Sequence, residues 1–382
     1  MAESEAEFQK MLDCVDSWCK KWRLKVNINK TNILHFRNKR KSKTSFNFKF
    51  DGVTLDIVNQ YKYLGTVFSE HLDFEITSSI LAGAAGRALG AIISKFKTLK
   101  NVGYKTFNKM YHSQVVPIME YGSGIWGYGN SLLSNKIQFR AIRYFLGVHP
   151  KTPLLALEGD MGWKSCRLRQ HVNMIRFWNR MINMDENRLT KRIFNWDYNL
   201  CKNWCLEIKQ ILYSASLEHI YNEQNVCNIN TIDNILTDLR NNQWKESLPS
   251  KPKLRTYMKF KDNVYTEDYV KYCKNRRRRS LLAQFRLGIL PLHIETGRFR
   301  KKQPEERICP ICNTGIEDEY HFVCICEEYS HFREMLYNKV VNVEFNVMSN
   351  EEKFVYLINN CWKELSIYIE KAWDKRNGSL YK

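Results

Sequence analysis

Four residues toward the C-terminal end have the types and spacing of a metal site. Pro310 and Ile311 separate Cys309 from Cys312, eight residues separate Cys312 from His321, and four separate His321 from Cys326. Three thiolates and one imidazole suit tetrahedral zinc, and two cysteines with two residues between them reach one ion from a single turn. Cys324 is an alternative fourth ligand, and a metal-free set of buried cysteines beside a histidine accounts for the same residues. Four protein ligands leave no open coordination position, so the implied role is in folding and binding rather than Lewis-acid catalysis.

A second chemistry is phosphate binding. Arg276, Arg277, Arg278 and Arg279 are followed seven residues later by Arg286, which places Arg279 and Arg286 on one helical face with Arg276 a turn earlier. Such a stripe grips a nucleic-acid backbone; a solvated helix face or a nuclear localisation signal gives the same pattern. Lys39, Arg40, Lys41 and Lys43 form a shorter basic run that also suits a solubilising loop.

Catalytic groups are harder to find. Two-metal nucleotidyl transfer needs paired carboxylates, and the sequence has no Asp-Asp pair; Asp13 and Asp16 read as surface charges on one helix face. No Gly-x-Ser-x-Gly, P-loop or His-Glu-x-x-His pattern is present. Gly122, Gly124, Gly127 and Gly129 read as a tight loop between helices, because no strand feeds them and no Lys-Ser/Thr closes them.

The elements that must carry these residues change character along the chain. Phe8, Met11, Leu12, Val15, Trp18, Cys19 and Trp22 recur at three and four, which predicts an amphipathic helix over Glu5 to Leu24. Phe46, Phe48 and Phe50, then Asp51-Gly52, then Val53, Leu55 and Ile57 alternate as in a hairpin, and Tyr61 to Phe68 is expected to add a third strand. Helical periodicity follows over Glu75 to Leu99, Tyr104 to Glu120, Leu132 to Leu146 and Trp163 to Met184. Thr266 is expected to cap a helix, closed at Gly288, that carries the arginine run.

The 382 residues carry 60 Lys and Arg against 40 Asp and Glu, a net charge of +20, with 44% hydrophobic and 13% aromatic residues. That composition excludes a wholly disordered chain, and the charge calls for a polyanionic partner, nucleic acid first and anionic membrane second, or else for strong self-repulsion in the compact state. Residues 1–50 hold twelve Lys/Arg against five acids and 251–302 hold sixteen against four, whereas 304–335 hold eight acids against Arg307 and Arg333. The most apolar stretch, Ile76 to Ser94, contains Arg87 and three glycines and reads as a closely packed helix rather than a membrane span. Glu3, Glu5 and Glu7 precede any apolar run, unlike a secretory signal. The expectation is an intracellular protein, nuclear or cytoplasmic, whose twelve cysteines are reduced.

Taken in order, these landmarks resemble the reverse transcriptases of non-LTR (LINE-type) retrotransposons. Leu24-Lys25-Val26-Asn27-Ile28-Asn29-Lys30-Thr31, after the Trp18 and Trp22 helix, resembles a late palm motif, and Tyr61-Lys62-Tyr63-Leu64-Gly65 resembles the strand that follows it. Val116-Pro117 through Tyr121-Gly122 and Trp126-Gly127 resembles the thumb and connection, and Cys309, Cys312, His321 and Cys326 with Phe322 and Arg333 resembles the C-terminal zinc-binding region.

The resemblance covers most of the chain, chiefly 5–180 and 250–335. It implies an α+β, mainly α fold: a small antiparallel β palm remnant over 1–72, an α-helical thumb over 73–184, a helical or irregular connector over 185–250, a basic helical segment over 251–303, the zinc knuckle over 304–335 and C-terminal helices over 336–382. By analogy Lys30 assists the departing pyrophosphate, and Tyr63 and Gly65 hold the primer end. The implied nucleic-acid contacts are Lys30, Lys39, Arg40, Lys41, Tyr63, Gly65, Arg276, Arg279 and Arg286. The family's aromatic-x-Asp-Asp turn would precede the first helix, and it does not occur after Met1. The expectation is therefore a truncated RNA-directed DNA polymerase that binds RNA or DNA but does not polymerise. Structural Zn2+ belongs to this chain and Mg2+ only to a full-length parent, with an upstream polymerase segment as a partner in cis or trans and no membrane partner. The alternative is a cellular zinc-containing nucleic-acid-binding or adaptor protein.

Overall fold

The computed structural model describes residues 2, 4–99, 101–129 and 131–380. The fold is α+β and mainly α, in two compact units, residues 1–83 and 84–382.

In the first unit, helix α1 (Glu5–Lys21) starts where the Ser4 hydroxyl accepts a hydrogen bond from the Glu7 amide at 3.2 Å. Strand β1 (Asn32–Leu34) pairs in parallel with β4 (Asp56–Val58), while β2 (Lys49–Phe50) and β3 (Val53–Thr54) form the expected hairpin. Its turn residues Asp51 and Gly52 both have positive φ, which Gly52 adopts without a steric penalty. Gln9 covers the outer edge of β2: its amide donates to the Lys49 carbonyl at 2.8 Å and accepts from the Lys49 amide at 2.9 Å. Cys19, Ile33, Phe48, Phe50 and Leu55 form the core, with Phe8 edge-on to Phe48 at 5.4 Å.

Two expectations need correcting. Ile57 leaves the hairpin to join β4, and Tyr61 to Phe68 is not a third strand of that hairpin but a hairpin of its own. In it, β5 (Gln60–Tyr63) and β6 (Thr66–Ser69) are antiparallel and turn at Leu64-Gly65. Both turn residues have positive φ. A glycine in second position is the signature of a two-residue turn, so the chain reverses there instead of continuing.

The second unit begins within α2 (Glu75–Thr98), whose Ala85, Leu89, Ile92 and Phe96 are buried in its main core. That helix has the length and hydropathy of a membrane span, and 39% of its most apolar window is buried in the protein. Next come α3 (Tyr104–Gln114), α4 (Val116–Met119), α5 (Ser123–Trp126), α6 (Leu132–Leu146), α7 (Leu154–Met161) and α8 (Cys166–Ile182). The glycines around α5 allow it to approach α8: a Cβ on Gly124 would sit 3.0 Å from the Asn173 carbonyl oxygen. Aromatic stacking binds this core, with Phe107 on Phe145 at 4.9 Å and Tyr111 on Trp163 at 4.3 Å.

Residues 185–250 are helical: α9 (Leu189–Leu200), α10 (Asn203–Ser214), α11 (Glu218–Asn222) and α12 (Ile229–Ser247). With α8 they enclose a separate cluster around Trp178, whose ring stacks on Tyr221 and whose indole donates to the Asn225 carbonyl at 3.0 Å.

The chain then returns to the main core through α13 (Asp268–Tyr272), α14 (Arg276–Arg286), α15 (His293–Phe299), α16 (Ser330–Tyr337), α17 (Asn350–Asn360) and α18 (Trp362–Leu380). The single helix expected from Thr266 to Gly288 is broken after Tyr272. Asn275 supplies a second N-cap, accepting from the Arg278 amide at 3.1 Å, and the Thr266 hydroxyl instead donates to the Met161 carbonyl.

Candidate metal centre and nucleic-acid interface

The candidate metal centre is built by a turn and a short π-helix. Cys309 and Cys312 flank a turn in which the Cys309 amide donates to the Gly315 carbonyl at 2.7 Å and the Asn313 amide to the Cys309 carbonyl at 3.0 Å. Ile308 pairs with Ile316 across the base of this loop. His321 opens the π-helical turn His321–Ile325, where Asp318 accepts from its amide, and the Cys326 amide closes the turn onto the His321 carbonyl at 2.9 Å.

The result is four ligand atoms within 4.8 Å of one another, with Cys309, His321 and Cys326 buried. Nε2 of His321 is 3.3 Å from Sγ of Cys312. Cys324 lies outside this group, its thiol pushed up to about 11 by burial, so the sequence alternative resolves in favour of Cys326. The hydrogen bond from Cys326 holds the Cys309 thiol well below its ordinary range, and that same bond raises Cys326. Thiolate is the form that ligates a metal. Three sulfurs and one imidazole converging at this spacing fit a metal ion.

This centre is fused to the core rather than hung from it. Glu317, fully buried, accepts from Arg376 of α18 through both carboxylate oxygens, at 2.6 and 2.7 Å. Two residues on, Glu319 accepts from Thr256 at 2.9 Å, and Tyr368 donates to the Phe322 carbonyl at 2.6 Å. Arg333 donates to the carbonyls of Val323 and Cys326, so its guanidinium serves the centre's backbone.

The arginine run does not form the expected open stripe. Arg279 and Arg286 are 3% and 2% exposed. Arg279 donates to the carbonyls of Phe145 and Cys273, and burial pulls its guanidinium down to about 10. Arg286 lies between Asp160 and Glu267, both at 2.9 Å, with its guanidinium 4.8 Å from the Phe260 ring centre. Arg277 and Arg278 pair with Asp374 and Glu370 of α18, and Arg276 stacks on Tyr144 at 5.0 Å. These side chains face α18, α7 and the core, so Arg279 and Arg286 have no guanidinium to offer a phosphate.

Other cations are open. In the first unit Lys30, Lys39, Arg40 and Lys41 are exposed, and Tyr63 projects from β5 at 59% exposure beside the Leu64-Gly65 turn. The Lys30 carbonyl accepts from the Tyr61 hydroxyl at 3.2 Å, which ties the Asn-Ile-Asn-Lys-Thr segment to β5. In the second unit α15 ends at Arg298-Phe299, and Arg300-Lys301-Lys302 follow it directly. Phe299 is 78% exposed among four exposed cations, of which Arg298 pairs with Glu295 at 3.5 Å. In the sequence these residues stand out only as part of the basic block; an aromatic enclosed by cations was the available signal.

Compared with known proteins, the chain is 29% identical over 136 residues to a protein described as a probable RNA-directed DNA polymerase from transposon BS of Drosophila melanogaster. The matched stretch is 36% of this chain and 15% of that protein. A stretch of this chain thus resembles a transposon-encoded polymerase. No family model matches the chain, and no solved structure matches it.

Proposed function

We propose that this chain corresponds to the part of a non-LTR retrotransposon reverse transcriptase that follows the catalytic carboxylates, and that it binds RNA or DNA. The observation that carries the reading is the partial similarity to a transposon polymerase. The four-ligand cluster supports a structural zinc ion, because its donor set suits tetrahedral Zn2+ and its surroundings are packed into the core.

Nucleic-acid contact falls to the exposed cations: Lys30, Lys39, Arg40 and Lys41 with Tyr63 and Gly65, and Arg300, Lys301 and Lys302 with Phe299 as a stacking surface. Lys30 is the group suited to assist a departing pyrophosphate when the missing carboxylates are supplied. An intracellular compartment, nuclear or cytoplasmic, goes with this reading.

Primer extension on an RNA template with Mg2+ tests the division of labour. The chain alone is expected to bind the primer–template without extending it. Extension by the chain alone would overturn the assignment.

A further inference from the structure

One face of α9 is apolar and turned to solvent. Leu189, Ile193, Trp196 and Leu200 are 65%, 43%, 65% and 43% exposed, and their spacing of four, three and four lays them in one stripe along the helix. The opposite face is already used: Phe194 and Lys191 are buried, with the Lys191 ammonium on the carbonyls of Met181 and Ile182. The outward stripe lies outside the cluster around Trp178, and four large apolar side chains in a row are costly to leave in water.

The spacing is that of a coiled-coil seam, with Ile193 and Leu200 at the first apolar position of the heptad and Leu189 and Trp196 at the fourth. On that assignment Arg192 and Asp197 occupy the two flanking positions, five residues apart. In a parallel pair of identical helices those are the positions that meet across the seam, so each Arg192 faces the Asp197 of the other copy. Antiparallel pairing would set Arg192 against Arg192 and Asp197 against Asp197. Arg192 is exposed, and Asp197 is half-exposed with one carboxylate oxygen taken by the Cys205 thiol at 3.2 Å, which leaves the other available. Helix α1 has a similar stripe in Met11, Val15, Trp18 and Trp22, but Cys14 and Cys19 hold its flanking positions and select no partner.

We propose that α9 is a self-association surface, on which a second copy of this chain docks its own α9 in parallel about a two-fold axis. The inference stands independently of the nucleic-acid reading. A seam of four residues per copy is small among specific interfaces, so the dimer is weak, with a dissociation constant of about 10 µM.

Sedimentation equilibrium of the full chain from about 1 to 100 µM tests this. The expected result is a reversible monomer–dimer equilibrium that Trp196→Glu weakens at least about tenfold. Leu189→Ser weakens it too and serves if the first variant does not fold. Arg192→Asp and Asp197→Arg each weaken it about fivefold, through two symmetry-related exposed ion pairs, and the double exchange restores it. A chain that is monomeric at 100 µM overturns the proposal. So does a dimer indifferent to Trp196→Glu, or a double exchange that fails to restore association.

Discussion

Arg286 Nε lies 2.9 Å from Asp160 Oδ2, and this buried contact joins α14 to α7 across 126 residues of sequence. The same carboxylate accepts from the hydroxyls of Tyr257 and Tyr269 at 3.0 and 2.8 Å, and the guanidinium also reaches Glu267. Lys261 completes a set of two cations and two anions with balanced charge. Gly159 makes room for it: a Cβ there would lie 2.2 Å from the Tyr257 hydroxyl. An arginine so placed is part of the core.

Asp160→Ala is therefore expected to destabilise the chain by about 3–5 kcal/mol, because it strands a buried guanidinium. Urea denaturation followed by circular dichroism measures this. A loss within 0.5 kcal/mol, about that of a surface change, would contradict the burial of the pair.

Metal content separates the two readings of the cysteines. Cys309→Ser or Cys326→Ser should lose the ion and lower the thermal midpoint, whereas Cys324→Ser should keep it. The check is zinc per chain by elemental analysis, together with the effect of a chelator on the wild-type midpoint. Retention of zinc by Cys326→Ser, or its loss from Cys324→Ser, would show the ligand set to be wrong.

Acid should weaken the second unit through His112, which packs against Trp163 at 5.2 Å. Burial and the nearby Arg169 charge lower its imidazole from 6.5 to about 4. A depressed pKa means the unfolded chain takes up the proton first. The contribution of neutral His112 is thus fully present above pH 6.5 and is lost as pH falls toward 4. Wild type should lose more thermal midpoint over that interval than His112→Gln does; parallel curves would rule the effect out.

Phe299→Ala should leave stability unchanged, since the ring is 78% exposed, while weakening binding to single-stranded RNA by roughly 1–3 kcal/mol if one base stacks there. Fluorescence anisotropy reads the loss. Equal affinity for wild type and variant would remove Phe299 from the interface.

How far the sequence could be read depended on how local each signal was. Leu132–Leu146 is a helix to the residue, because its apolar spacing is unbroken, and Asp51-Gly52 turns as its type requires. The four candidate ligands were legible because their convergence follows from a short spacing. The arginine run was misread because four adjacent arginines look solvated, and their partners Asp160, Glu370 and Asp374 are 92 to 126 residues away. Asn275 did announce a new helix start within the run's approach, and Gly65 a turn; in each case a longer periodic pattern concealed a one-residue signal. The α9 stripe lay unread in an Asn-rich segment whose inward face gathers around Trp178.

The most direct test is the affinity of the zinc-loaded chain for a single-stranded RNA across a salt series. Log affinity should fall linearly with log salt, and replacing Arg300, Lys301 and Lys302 together by Ala should reduce the slope by about 2, near 0.7 for each phosphate no longer neutralised. No measurable binding at low salt, or binding indifferent to salt, would contradict a nucleic-acid role for this chain.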